Sequence, residues 1–262
     1  MATSPPANLP LFYKNLQPLA SALHGKLKAQ SSEKASFLAS THAVPLTIDE
    51  FTIAQRFYPI VFSAGENSVP LALMGLNEGV NVFIDAEGKP LNPVYIPAYV
   101  RRYPYILARM DPSKEELTLC FDPDSELVGE SEDGQPLFDG DQPSETLTGI
   151  LKFCEEFEGS AQRTNAFVKE LETLGLLIDG EVSVQPEGAP QPFLYRGFKM
   201  VDENKLREMN GDQLRKINQN GILPLVIAHL FSLTIIREIF GRQLQQGKVP
   251  EQAAPAPAPA DA

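Results

Sequence analysis

Tryptophan is absent from this 262-residue chain, and histidine and cysteine are scarce, at three and two residues. Each scarcity removes a class of chemistry. Without tryptophan, one of the usual hot-spot anchors of binding surfaces is gone. His24, His42 and His229 show no HxH or HExxH spacing, so a three-histidine metal centre would have to gather all of them from distant parts of the chain. Cys120 and Cys154 are too few for a disulfide framework or a structural zinc site, and as small buried apolar groups they suit a reducing, cytoplasmic compartment. No GxSxG elbow, GKS phosphate loop or GxGxxG turn occurs. The residues thus nominate neither a metal nor a cofactor. Long apolar runs are also missing: Ile222 to Ile236 is interrupted by Pro224 and His229 and falls short of the roughly 20 residues that cross a bilayer. It reads as a buried core helix, not a membrane span, with His229 as a core histidine bonded to a backbone carbonyl or to Ser232. Met1 to Asn15 carries neither the basic start nor the apolar stretch of a secretory signal.

Acid is in excess, with 34 Asp and Glu against 22 Lys and Arg and a net charge of −12. The excess is local. Between Asp111 and Glu158 stand fifteen acids against Lys114 and Lys152, so the rest of the chain is close to neutral. Such a field repels phosphate backbones, which excludes nucleic acid as a partner. Asp122-Pro-Asp124-Ser-Glu126 and Asp139-Gly-Asp141 are oxygen-rich enough to raise calcium, but neither has the Gly and Glu placement of a calcium loop.

Periodicity and punctuation predict an α+β fold, a mainly antiparallel β N-terminal half packed with a mainly helical C-terminal half. Four parts are expected: a lead segment, 1–34, with a helical stretch from Leu16 to Lys28; a β-rich part, 35–142; a helix-rich part of the same compact unit, 143–248; and a disordered Ala/Pro tail, 249–262. Strands are expected at Phe37–Val44, Ile60–Ser63, Pro70–Leu76, Leu117–Asp122 and Leu194–Val201. Asn81–Asp85 is expected to pair with Leu91–Tyr95 across a turn at Gly88. Thr47 and Glu50 have capping-box spacing for a short helix. Ser144 is placed to cap a long helix, which Gly159-Ser160 should kink or break and Gly175 should end. Leu176–Val184 reads as a hairpin around Asp179-Gly180. Two short helices, Asp202–Met209 and Asp212–Asn220, precede the apolar one.

Two separated strings, VPLALMGLNEGVNVFIDAEGKPLNPVYIPAYVRRYPYIL at 69–107 and LYRGFKMVDENKLREMNGDQLRKINQNGILPLVIAHLFSL at 194–233, resemble the two recurrent regions of the bacterial SapC family. The resemblance extends over about 43–244. It implies a link to the surface layer and an accessory part in peptide or surface-molecule processing, beside halogenase-like and cupin-like proteins. It implies no established reaction. An unrelated peptide-uptake permease shares the name, and the lack of membrane spans excludes it.

The residues that best suit binding are Tyr95, Tyr99, Arg101, Arg102, Tyr103 and Tyr105, four phenols and two guanidiniums within eleven positions. Arginine grips carboxylate or phosphate with two parallel hydrogen bonds, and tyrosine adds flat area with a polar tip, so the string suits a peptide or anionic partner. The plainer alternative is intramolecular, with Arg101 and Arg102 neutralising the acidic segment while the tyrosines cover the sheet. A non-catalytic binding or accessory protein is the leading expectation. An enzyme with an Arg, Tyr and carboxylate site acting on an amino acid or peptide is the second, and a surface-layer structural component the third.

Overall fold

The computed structural model describes residues 9–32, 34–110, 113, 116–185 and 191–249. Its largest sheet has five antiparallel strands in the order Leu177–Val184, Phe193–Val201, Ile60–Ser63, Pro70–Leu73, Ala43–Pro45. Two of them come from the helix-rich half, and Phe198 and Lys199 stand opposite Ser63 and Phe62 to join the halves. Against this sheet packs one apolar core that includes Phe51, Tyr58, Phe62, Phe167, Leu171, Val226 and Ile239. The architecture is α+β, as the patterning requires.

The long helix Glu145–Thr173 ties this core to a second one. Ser144 caps it by accepting the Leu147 N–H, and Gly175, at φ 64°, ends it. Its C-terminal half carries Phe167, Val168 and Leu171 into the main core, while Leu147 and Cys154 pack with Tyr105, Phe121 and Leu137. That second core underlies a three-stranded sheet ordered Gln17–Pro18, Thr118–Phe121, Tyr105–Ala108. The expected break at Gly159-Ser160 does not occur. Ser160 donates its hydroxyl to Asp49 at 2.7 Å, outside the helix, and Thr164 accepts the Ile48 N–H at 2.9 Å, so the Gly-Ser pair and the turn that follows it are anchored to residues 47–50.

Four other expectations are corrected. Asp179-Gly180 is not a hairpin: Leu177–Val184 is one strand of eight residues, and a Cβ on Gly180 would collide with the Phe198 ring of its partner strand. The glycine is there for close approach, not for turning. The stretch 37–44 forms a 3-10 turn at Ser36–Leu38 before the strand at Ala43–Pro45. Residues 81–95 make a single bridge, Ile84 to Pro90, because Pro90 and Pro93 remove ladder donors, although Gly88 does turn at φ 84°. Among the described residues of the lead segment only Ser21–His24 is helical, while Gln17–Pro18 and Lys28–Ala29 join sheets. Residues 1–8, Glu33 and the Ala/Pro tail from 250 onward lie outside the described residues.

The last apolar segment is long and apolar enough to cross a membrane by length and composition. Its contacts are those of a core helix. A 3-10 turn at Leu233–Ile235 divides it into Ile222–Ser232 and Ile236–Gln245, and Val226, His229, Ser232, Ile236 and Ile239 are buried. The His229 ring spans two sheet strands: Nδ1 donates to the Ile60 carbonyl at 2.7 Å and Nε2 accepts the Val201 N–H at 3.0 Å. Burial holds it neutral, lowering its pKa from 6.5 to about 4.

Candidate functional site

The Tyr/Arg string folds around one short helix, Ala98–Arg102. Pro97 sets its entry, and the first free N–H, on Ala98, donates to Glu50 Oε1 at 2.7 Å. The same oxygen accepts the Tyr95 hydroxyl at 2.9 Å, and Oε2 accepts both the N–H and the hydroxyl of Thr47. Glu50 is therefore a buried carboxylate satisfied by four neutral donors, and it fixes Tyr95 against the helix. Burial, reinforced by Glu50, pushes the Tyr95 phenol up to about 12.

Successive helical residues point about 100° apart, so the two arginines have different fates. Arg102 turns inward. It is 6% exposed, its guanidinium carbon lies 4.5 Å from the Tyr99 ring centre and 4.1 Å from that of Phe157, and it pairs with Glu158 at 3.3 Å. For this residue the intramolecular alternative describes the geometry. Arg101 turns outward and stays exposed, with Nε donating to the Ile96 carbonyl at 3.1 Å and a second nitrogen to the Tyr95 hydroxyl at 3.3 Å. The Phe153 ring lies under it at 5.1 Å, and among the described residues it forms no ion pair.

The remaining tyrosines are mostly structural. Tyr99 donates its hydroxyl to the Leu11 carbonyl, and Tyr103 packs among Phe12, Tyr13 and Phe37. Tyr105 begins the strand Tyr105–Ala108, and its carbonyl accepts the Tyr13 hydroxyl at 2.7 Å. The string is thus one surface pair, Tyr95 and Arg101, followed by residues that turn into the fold.

Between the short helix, the N-terminal half of the long helix and residues 29–38 lies a cavity of about 660 Å³. Arg101, Arg102, Tyr103 and Tyr105 line it, together with apolar walls from Ile96, Val100, Ile150 and Phe153. Its charged lining is Lys34, Arg101 and Arg102, with no carboxylate among the described residues. The sequence pointed to one side of this cavity only. Gln30, Lys34 and the 146–154 face arrive from distant segments, and nothing in their local pattern marks them. Cys154 also lines it, but burial pushes its thiol up to about 11, so it stays protonated at neutral pH.

The oxygen-rich loops are organised by backbone groups, their own and one from the lead segment. Asp122, fully buried, accepts N–H groups from Lys14 at 2.7 Å and from Asp124 at 3.0 Å, and Asp139 and Gln142 close a two-stranded hairpin. No cluster of His, Cys, Asp or Glu among the described residues is arranged to hold a metal.

No curated protein and no solved structure matches the chain. The SapC family model matches it over residues 19–239, which takes in part of the lead segment, the whole five-stranded sheet, the strands Tyr105–Ala108 and Thr118–Phe121, the long helix and the start of the final helix. With both recurrent strings inside that span, the chain belongs to the SapC family.

Proposed function

We propose that this SapC-family chain is a non-catalytic binding protein, an accessory in peptide or surface-molecule processing, which holds an anionic segment of a peptide or partner protein at the Arg101 cavity. One observation carries the reading: in a chain of net charge −12, every described charged residue lining the cavity is cationic. An arginine held by Ile96 and Tyr95, stacked on Phe153 and lacking an acidic partner among the described residues, is pre-oriented to receive one. The halogenase-like and cupin-like proteins implied by the family resemblance are the partners to try first. A cytoplasmic setting suits Cys120 and Cys154, which are both buried and unpaired.

The test is a titration with capped peptides of one apolar framework carrying paired Asp, Asn or Lys, against the wild type, Arg101→Ala and Arg101→Lys. Acidic peptides should bind most tightly, and Arg101→Ala should weaken them by about tenfold or more. Arg101→Lys should recover only part, because an ammonium cannot reproduce the two-pronged grip. Equal binding of acidic and basic peptides, or an Arg101→Ala protein that binds like the wild type, contradicts the proposal.

A further inference from the structure

A guanidinium carries its N–H donors in one fixed plane, and the protein already uses part of that of Arg101. Nε donates to the Ile96 carbonyl at 3.1 Å and Nη2 to the Tyr95 hydroxyl at 3.3 Å, so the edge formed by Nε and Nη2 is filled from within. Nη1 has no partner among the described residues. What remains is the edge formed by Nη1 and Nη2, whose parallel N–H bonds match the two oxygens of one carboxylate. The Tyr95 hydroxyl is itself held, because it donates to Glu50 Oε1 at 2.9 Å, and Glu50 is 4% exposed. The Ala98 N–H donates to the same oxygen at 2.7 Å, which pins that carboxylate to the short helix carrying Arg101.

We infer that Tyr95, anchored by Glu50, is a positioning residue that leaves the Nη1–Nη2 edge of Arg101 for the ligand, so that the site selects a carboxylate received end-on by that edge. The hydrogen bonds run one way, from guanidinium to phenol and from phenol to carboxylate. Burial, reinforced by Glu50, pushes the phenol up to about 12, so at neutral pH its proton goes to Glu50 and its lone pairs are left for Arg101. The guanidinium carbon lies 5.1 Å from the Phe153 ring centre and 5.8 Å from that of Tyr95, which fixes the tilt of the plane as well as its edge. An arginine already held gives up less rotamer freedom on binding, and affinity for the acid rises with no new contact. A carboxamide offers one oxygen in place of two, so it meets only half of the edge. Tyr95 is not among the described residues lining the cavity, so its effect on binding passes through Arg101.

This inference rests on the binding reading above, and its test separates the two. The capped peptides with paired Asp or paired Asn are titrated into the full chain as wild type, Tyr95→Phe, Arg101→Ala and the double variant. Tyr95→Phe keeps the ring and leaves Glu50 three donors, so it should fold and melt within about 2 °C of the wild type. It should weaken the Asp peptide by about three- to tenfold, leave the Asn peptide unchanged, and cost nothing further in the Arg101→Ala background. A second readout needs no ligand: in ¹⁵N-labelled protein the Arg101 Nε–H order parameter should stay above about 0.6 in the wild type and fall below it in Tyr95→Phe. If Arg101→Ala weakens the Asp peptide and Tyr95→Phe does not, the inference falls and the binding reading stands. Equal losses for the Asp and Asn peptides, or the same loss from Tyr95→Phe with and without Arg101, would make Tyr95 a purely structural residue and overturn the inference. An order parameter unchanged by Tyr95→Phe overturns it too. If Arg101→Ala binds both peptides like the wild type, the binding reading falls and takes the inference with it.

Discussion

Adjacent arginines with opposite environments should respond oppositely to the same truncation. Arg102→Ala removes a guanidinium held between Tyr99 and Phe157 and shared with the partly exposed Glu158, so each of the two cation–π contacts contributes about 1 kcal/mol. It also strands Glu158, whose side chain is 32% exposed, so the penalty falls below the roughly 3 to 5 kcal/mol of a fully buried pair and nearer to 1 kcal/mol. The total is about 3 kcal/mol, and at about 2 °C per kcal/mol for a chain of this size the melting midpoint should drop by about 6 °C. Arg101→Ala breaks exposed hydrogen bonds and an exposed contact with Phe153, costs about 1 kcal/mol, and should shift the midpoint by no more than about 2 °C. Circular dichroism melts of the two variants, with Arg102→Lys as a third, decide the matter. Lysine lacks the planar face that stacks between two rings, so it should restore little. Equal midpoints for the two alanine variants, or a larger loss for Arg101, would refute the division between a structural and a binding arginine.

Acid should weaken the fold through His229. Its pKa is depressed in the folded state, so the unfolded chain takes up the proton first, and the stability present above pH 6.5 is lost as pH falls toward about 4, by about 3 kcal/mol in all. Urea midpoints between neutral pH and about pH 5 should fall in the wild type and stay flatter in His229→Gln, and parallel profiles would remove the histidine from the explanation. Gly180→Ala should cost about 1 to 3 kcal/mol, because the methyl enters the space of the Phe198 ring; an unchanged urea midpoint would mean that the two strands can separate without loss.

Local chemistry made much of the fold legible. Ser144 as a cap, Gly175 as a stop, the Thr47–Glu50 turn and a core His229 each depend on neighbours a few residues away or on one helical face. What was not legible depends on partners far along the chain. Gly159-Ser160 reads as a helix breaker until Asp49 engages Ser160, and Gly180 reads as a turn until Phe198 is placed over it. The same holds for the site. Composition drew attention to Arg101 and Arg102 together, but only the turn of the helix and the position of Phe157 separate a guanidinium in the core from one at a cavity mouth. Gln30 and Lys34 carried no signal at all, since a glutamine and a lysine in a polar lead segment are indistinguishable from solvated ones.

The cavity itself is tested most directly at Gly149, which lines it from the long helix and has open space where a side chain would begin. Leucine there restores helix propensity worth about 1 kcal/mol while projecting a side chain into the binding space. Stability and binding should therefore move in opposite directions: Gly149→Leu should melt about 2 °C higher than the wild type and bind the acidic peptides about tenfold more weakly or not at all. A stabilised Gly149→Leu protein that binds with wild-type affinity would show that the ligand sits elsewhere.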